Sequence, residues 1–134
     1  MRQKEFEKIG KTGCYFLSIV HVAEKYDGKY IDAYEAYKLA IVGKTIRDDC
    51  YVVDPPALLR MLTGVAWTVT KEPSTYKPIK GEQEILYFER KDTLATTGHF
   101  VVGDGEGVVS YDPYGDSMTV RKGTLTSKRI FRRA

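Results

Sequence analysis

The first half of the chain carries hydrophobic residues at helical spacing. Over 13–26 the apolar side chains recur every three or four positions, and the pattern ends before Gly28. The same spacing predicts a second helix over 32–42. A short third helix is predicted to follow Asp54 and to end at Gly64, a residue common just after helix ends. We therefore predict three helices in this half of the chain.

The second half of the chain has the pattern of strands. Runs of β-branched and aromatic residues predict strands over 65–71, 84–88, 99–102, 108–111 and 128–132. The glycine-rich segment 103–107 predicts a hairpin connection. The order of elements indicates an α+β protein, with N-terminal helices packed on a C-terminal antiparallel β-sheet. Since no repeat or linker interrupts the pattern, we expect 1–134 to form a single domain.

The predicted hairpin brings a histidine and a carboxylate together. If it is centred on 105–106, His99 lies opposite Asp112. Alternation then places one set of residues on one face (His99, Val101, Val108, Ser110, Asp112) and a second set on the other (Phe100, Val102, Val109, Tyr111). A neighbouring carboxylate holds a histidine ring in one tautomer and favours its protonated form. A slip of one residue would turn Asp112 away and leave Asp104 or Asp116 as alternatives.

One of the two cysteines is placed for nucleophilic chemistry. Cys14 lies at the predicted start of the first helix. A helix N-terminus and a nearby imidazole are the two ordinary ways to lower the pKa of a thiol. The order Cys14, His99, Asp112 therefore indicates a cysteine hydrolase, with the cysteine as nucleophile, the histidine as base and the aspartate as the orienting group.

The other cysteine and histidine are weaker candidates. Cys50 follows Asp48 and Asp49, whose negative charges would raise the pKa of its thiol. His21 lies two helical turns after Cys14 and is interpreted as structural or pocket-lining. Neither cysteine has a ligand partner two to five residues away, and no glycine pattern fits a phosphate site. We expect neither a metal nor another cofactor.

Composition narrows the choice of partner and compartment. The chain of 134 residues has 21 Lys and Arg against 18 Asp and Glu, a net charge of +3 that does not by itself indicate nucleic acid. No run of about 18 apolar residues is present, and the first residues are charged rather than signal-like. We expect a cytoplasmic protein with free thiols that acts on a peptide or protein, with nucleic acid and membranes unlikely partners. The oligomeric state stays open.

The C-terminal segment is basic. Its cations predict a solvated strand edge, where positive side chains discourage pairing between molecules. They are Arg121, Lys122, Lys128, Arg129, Arg132 and Arg133.

Three short motifs resemble those of the papain-like cysteine peptidase superfamily. They are Gly13-Cys14-Tyr15-Phe16, His99-Phe100-Val101-Val102 and Tyr111-Asp112-Pro113. The likeness is to the double-glycine leader peptidases of bacteriocin exporters, and to small phage and bacterial proteins described as cysteine peptidases. It implies a papain-like fold and hydrolysis of a peptide or amide bond. By the same likeness Cys14 is the nucleophile, His99 the general base and then acid, and Asp112 the orienting residue.

The chain departs from that pattern at the oxyanion site. Papain-like enzymes usually place a glutamine about six residues before the cysteine, and here that position is Lys8. Gln3 is the only upstream glutamine, so Gln3 and Lys8 are the candidates for this role. Loss of one oxyanion donor lowers the rate by roughly 10²–10³ in a well-studied hydrolase. The alternative function is therefore a weak or inactive papain-like fold that binds protein, such as a phage-encoded inhibitor of a host factor.

Overall fold

The computed structural model describes residues 13–91 and 97–134. Within these residues three helices come first, followed by the strands of a sheet with one short helix between them. The elements are α1 Cys14–Asp27, α2 Ala33–Val42, α3 Pro55–Thr63, β1 Trp67–Pro73, β2 Gln83–Arg90, β3 Thr97–Gly103, β4 Val109–Tyr111, α4 Met118–Lys122 and β5 Thr124–Arg133. The prediction of an α+β chain with helices before an antiparallel sheet is confirmed.

Local signals account for the three long helices. Asp32 caps α2 by accepting a hydrogen bond from the backbone N–H of Tyr34 at 2.8 Å. Asp54 caps α3 in the same way, with the N–H of Ala57 at 3.2 Å. Gly28 ends α1 in the left-handed conformation, at φ 67°. These helices share one buried apolar cluster with one face of the sheet.

The sheet has the strand order β1-β5-β2-β3-β4, with antiparallel pairing throughout. β5 therefore lies between β1 and β2, and the prediction of a solvated basic edge is wrong for this strand. Two of its cations, Lys128 and Arg132, form ion pairs within the protein instead. Lys128 is 3% exposed and contacts Glu84, and Arg132 is paired with Glu82 and Glu72.

A second, smaller apolar cluster covers the other face of the sheet. It contains Leu86, Phe88 and Val101, and Val120 of α4 packs against it. The sequence analysis did not predict α4, because five residues are too few to show helical periodicity. With both faces covered, the centre of the sheet is buried on each side.

The register of the hairpin differs from the prediction. A hairpin centred on 105–106 would pair Val102 with Val109, whereas Val102 pairs with Tyr111. A bulge follows, so that Gly103 pairs with Val109. Val109 consequently packs with the cluster around Val101, and its predicted place on the opposite face is wrong.

A buried ion pair fixes the hairpin to the sheet. Lys128 Nζ lies 2.8 Å from Glu84 Oε1 and 2.7 Å from the carbonyl oxygen of Tyr76. Glu84 Oε2 accepts hydrogen bonds from the backbone N–H groups of Gly105 and Gly107, each at 2.9 Å. The glutamate thus ties the loop between β3 and β4 to the centre of the sheet.

Candidate active site

The N-terminus of α1 docks against β3 next to the place where β4 stops pairing. Ser18 Oγ donates a hydrogen bond to the carbonyl oxygen of Phe100 at 3.3 Å, and the Tyr15 ring stacks on the Phe100 ring at 4.2 Å. β4 pairs with β3 only at Val102 and Gly103. The first turn of α1, which includes Cys14, therefore lies beside the backbone of His99 and Phe100.

The structure brings Asp112 to His99. The distance from His99 Nε2 to Asp112 Oδ1 is 2.7 Å, and the two side chains are only 3% and 6% exposed. Before the bulge, the pair of Val102 and Tyr111 is shifted by two residues from the predicted pairing, and a shift of two leaves His99 and Asp112 on their predicted face. The contact therefore forms although the predicted register is wrong.

The two alternative aspartates do not reach this histidine. Asp104 accepts hydrogen bonds from the N–H groups of Glu106 and Val108 within the hairpin loop. Asp116 pairs with Arg121 at 3.3 Å on the surface. Asp112 is thus the carboxylate that holds the ring.

The second ring nitrogen of His99 is left for the thiol. Nδ1 is buried and has no hydrogen-bond partner of ordinary geometry among the described residues. The half-buried Cys14 interacts with the His99 side chain by a hydrogen bond and by charge. Because Nε2 is bonded to Asp112, Nδ1 is the ring nitrogen left for the thiol. Catalytic hydrogen bonds are often long or poorly aligned before a substrate binds.

The electrostatics favour an ion pair of thiolate and imidazolium. Burial raises the pKa of Cys14, but hydrogen bonds from His99 and the backbone of Phe100, with the charge of His99, outweigh it and leave the pKa below its ordinary value. Burial lowers the pKa of His99, but the contacts with Cys14 and Asp112 leave it above its ordinary value. Both shifts favour transfer of the proton from the sulfur to the ring.

A tyrosine that sequence reasoning missed completes the cluster. The Tyr114 ring stacks on the His99 ring with centroids 4.5 Å apart. Burial, followed by the charge of Cys14 and a hydrogen bond to it, raises the pKa of Tyr114 to about 12, so its hydroxyl stays protonated and can donate. The position two residues after Asp112 is a signal that could have suggested it, because an Asp-Pro turn carries the chain back over the ring.

The remaining cysteine and histidine have other surroundings. Cys50 is buried, and burial and the charge of Asp49 raise the pKa of its thiol to about 12, in the predicted direction. His21 stacks on Tyr111 with centroids 4.0 Å apart and lies 3.7 Å from Glu24. It belongs to the packing of α1 on β4.

A groove of about 500 Å³ opens beside the Cys14 thiol. One wall is the segment that includes Cys50, Tyr51 and Val53, and the other is β1. Volumes of this order are typical of sites for small ligands and short peptides. The nucleophile thus borders a space that can hold a substrate.

The oxyanion candidates Gln3 and Lys8 lie outside the described residues. The sequence has one other glutamine, Gln83, and no asparagine. Gln83 pairs with Phe131 at the start of β2 and does not line the groove. Every side chain that borders the groove in the described part of the chain therefore lacks an amide.

Metal-ligand clusters and membrane-spanning helices are both absent over 13–91 and 97–134. No group of three or more His, Cys, Asp or Glu residues is arranged to hold a metal ion in these segments. In the same segments, every helix is too short or too polar to cross a membrane.

Comparison with known proteins gives a family without an assigned activity. A family model described as a protein of unknown function, DUF261, matches residues 1–133. The chain belongs to the DUF261 family. Searches of the curated proteins and of the solved structures found no match. The cluster of Cys14, His99, Asp112 and Tyr114 is therefore the main basis for assigning a function to this DUF261 protein.

Proposed function

We propose that the protein is a cysteine hydrolase of papain-like fold that cleaves a peptide or amide bond. The observation that carries the proposal is the arrangement of the catalytic groups: Asp112 holds His99 through Nε2, and the same side chain interacts with Cys14 while its buried Nδ1 stays unbonded among the described residues. Opposite pKa shifts of the thiol and the ring support the same conclusion.

The chemistry follows from the positions of these groups. The Cys14 thiolate attacks the substrate carbonyl carbon, and the His99 imidazolium gives its proton to the leaving nitrogen as the carbon–nitrogen bond breaks. The product is a thioester and a free amine. His99, now neutral, takes a proton from water, and the resulting hydroxide attacks the thioester. The acid is released as the carbon–sulfur bond breaks, which restores the Cys14 thiolate and the His99 imidazolium. Asp112 keeps the ring in the tautomer that these steps need.

The fold offers some stabilisation for the developing oxyanion. Cys14 is the first residue of α1, and the first N–H groups of a helix have no partner within the helix. The positive end of the α1 dipole lies at the same place. The Tyr114 hydroxyl, which hydrogen-bonds to Cys14, supplies a further donor close to the reacting sulfur.

A second candidate function is a protein-binding module with a weak or silent site. The observation in its favour is the absence of a side-chain amide along the groove in the described segments, together with lysine at position 8. On this alternative the groove binds a partner protein, for example a host factor inhibited by a phage protein. Under either function we place the protein in the cytoplasm, where both thiols stay reduced.

Turnover of an activated ester tests the proposal without knowledge of the natural substrate. With p-nitrophenyl acetate, we expect the wild type to release several equivalents of p-nitrophenol per chain and to carry a transient acetyl group on Cys14, detected by mass spectrometry. The Cys14→Ala and His99→Ala variants should neither turn over the ester nor carry the acetyl group. Release by the wild type at the rate of Cys14→Ala would refute the hydrolase and leave the binding module.

A further inference from the structure

The groove beside Cys14 has a positive side that finds no counter-charge in the described part of the chain. Lys71 of β1 and Arg129 of β5 both line it, and they are direct cross-strand partners. Like charges directly opposite each other in an antiparallel pair destabilise the sheet. Their presence at this position calls for an explanation other than folding.

Neither cation is neutralised within the described segments. The ion pairs formed there involve other cations of the sheet, including Arg132, which contacts Glu72 and Glu82 one residue further along β5. None of the described residues that line the groove is an aspartate or a glutamate. Over 13–91 and 97–134, the positive charge of Lys71 and Arg129 therefore faces the groove without a carboxylate beside it.

The arginine is held in place before any ligand arrives. Its guanidinium donates a hydrogen bond to Ser127 Oγ at 2.9 Å. It also lies over two aromatic rings, 5.4 Å from the centroid of Phe100 and 5.7 Å from that of Tyr87. A charge fixed in this way loses little conformational entropy when it binds an anion.

The remaining surface of the groove is apolar. Val52, Val53, Val69 and the rings of Tyr15 and Tyr51 supply most of it. Such walls accept bulky apolar side chains, and they lower the local dielectric, which strengthens an ion pair at their border. The combination suits a peptide with an acidic side chain flanked by apolar residues.

We propose that this groove binds an acidic segment of the peptide substrate, with the carboxylate of a Glu or Asp side chain between Lys71 and Arg129. The role as substrate rests on the proposed hydrolase, whereas the binding itself does not. The acidic residue lies next to the bond that Cys14 attacks, because the same groove is bordered by the thiol.

Binding is measured on the Cys14→Ser variant, so that no chemistry is required. The probes are three acetylated and amidated tripeptides, Phe-Glu-Phe, Phe-Gln-Phe and Phe-Lys-Phe, titrated by ¹⁵N–¹H NMR. We expect the Glu peptide to bind roughly fivefold more tightly than the Gln peptide, and the Lys peptide to bind more weakly still. The shifts should fall on Tyr51, Val53 and Lys71, and added salt should reduce the difference.

Matched variants locate the effect. In Lys71→Gln and Arg129→Gln, made in the Cys14→Ser background, the advantage of the Glu peptide should fall, while Arg121→Gln on α4, outside the groove, should retain it. Equal affinities for the three peptides, shifts elsewhere on the protein, or no binding at millimolar concentration would each overturn the inference. Ester turnover by the wild type is scored separately, so a failed hydrolase and a failed acidic-peptide site are distinguished.

Discussion

Asp112 Oδ1 accepts a hydrogen bond from His99 Nε2 at 2.7 Å and another from the backbone N–H of Tyr114 at 2.9 Å. One carboxylate oxygen therefore fixes both the ring that activates the thiol and the turn that carries the tyrosine over that ring. The orientation of His99 depends on this single group.

The Asp112→Asn variant tests that dependence. The amide can present its nitrogen to the ring or favour the wrong tautomer, so we expect p-nitrophenyl acetate turnover to fall at least tenfold, by analogy with the loss seen when a triad aspartate is replaced. The matched control is Asp116→Asn, which removes a surface carboxylate paired with Arg121. Equal turnover by the two variants would show that Asp112 does not orient the histidine.

The Tyr114 hydroxyl is expected to stabilise the thiolate. Tyr114→Phe keeps the ring that stacks on His99 but removes the hydrogen bond to Cys14. Hydrogen bonds to charged groups contribute about 1.5–3 kcal/mol, so the pKa of Cys14 should rise by about one unit or more. The pH dependence of thiolate absorbance at 240 nm measures this. Tyr111→Phe is the control, because the Tyr111 ring stacks on His21, and this variant should leave the pKa of Cys14 unchanged. A similar rise of the pKa of Cys14 in both variants would argue against a specific role for Tyr114.

The ion pair of Glu84 and Lys128 should dominate the stability of the sheet. In Glu84→Gln the Lys128 ammonium stays buried without a counter-charge, and we expect a loss of about 3–5 kcal/mol in the free energy of unfolding, measured with urea. Glu72→Gln is the control, because its partner Arg132 is partly exposed and still forms its ion pair with Glu82. The free energy of unfolding of this variant should fall by about 1 kcal/mol or less. Equal losses in the two variants would contradict the assignment.

The same substitution should also disturb the active site. Glu84 holds the N–H groups of Gly105 and Gly107, and through the hairpin it sets where β4 and Asp112 lie. Glu84→Gln should therefore lower ester turnover under conditions where the variant is still folded. Full activity of the folded variant would show that the hairpin is positioned by other contacts.

The sequence predicts the helices well, because their signals are local. Asp32 and Asp54 precede their helices as capping residues, and Gly28 follows α1 in the left-handed conformation. The meeting of His99 and Asp112 was also predictable, since alternation along two strands survives the observed shift of two residues. Helix caps and the alternation of side chains along a strand depend on residues that are close together in the sequence.

The rest of the arrangement depends on contacts between distant parts of the chain. β5 was expected at an edge, but it lies inside the sheet between β1 and β2, where Lys128 contacts Glu84, which is 44 positions away in sequence. The facing of Lys71 and Arg129 likewise requires the pairing of β1 with β5. A single sequence carries no periodic signal for such pairings, so the charged side of the groove could not be predicted.

The rate of Cys14 alkylation by iodoacetamide as a function of pH tests the central claim most directly. Mass spectrometry follows Cys14 and Cys50 in the same sample, with His99→Ala beside the wild type. Because the histidine lowers the pKa of Cys14 and burial alone raises it, the wild type should react with an apparent pKa below about 8.5, and the variant should react only at higher pH. Cys50, with a pKa of about 12, should stay unreactive over this range. A Cys14 that reacts alike with and without His99, or not at all, would contradict the pairing of thiolate and imidazolium on which the proposed hydrolase depends.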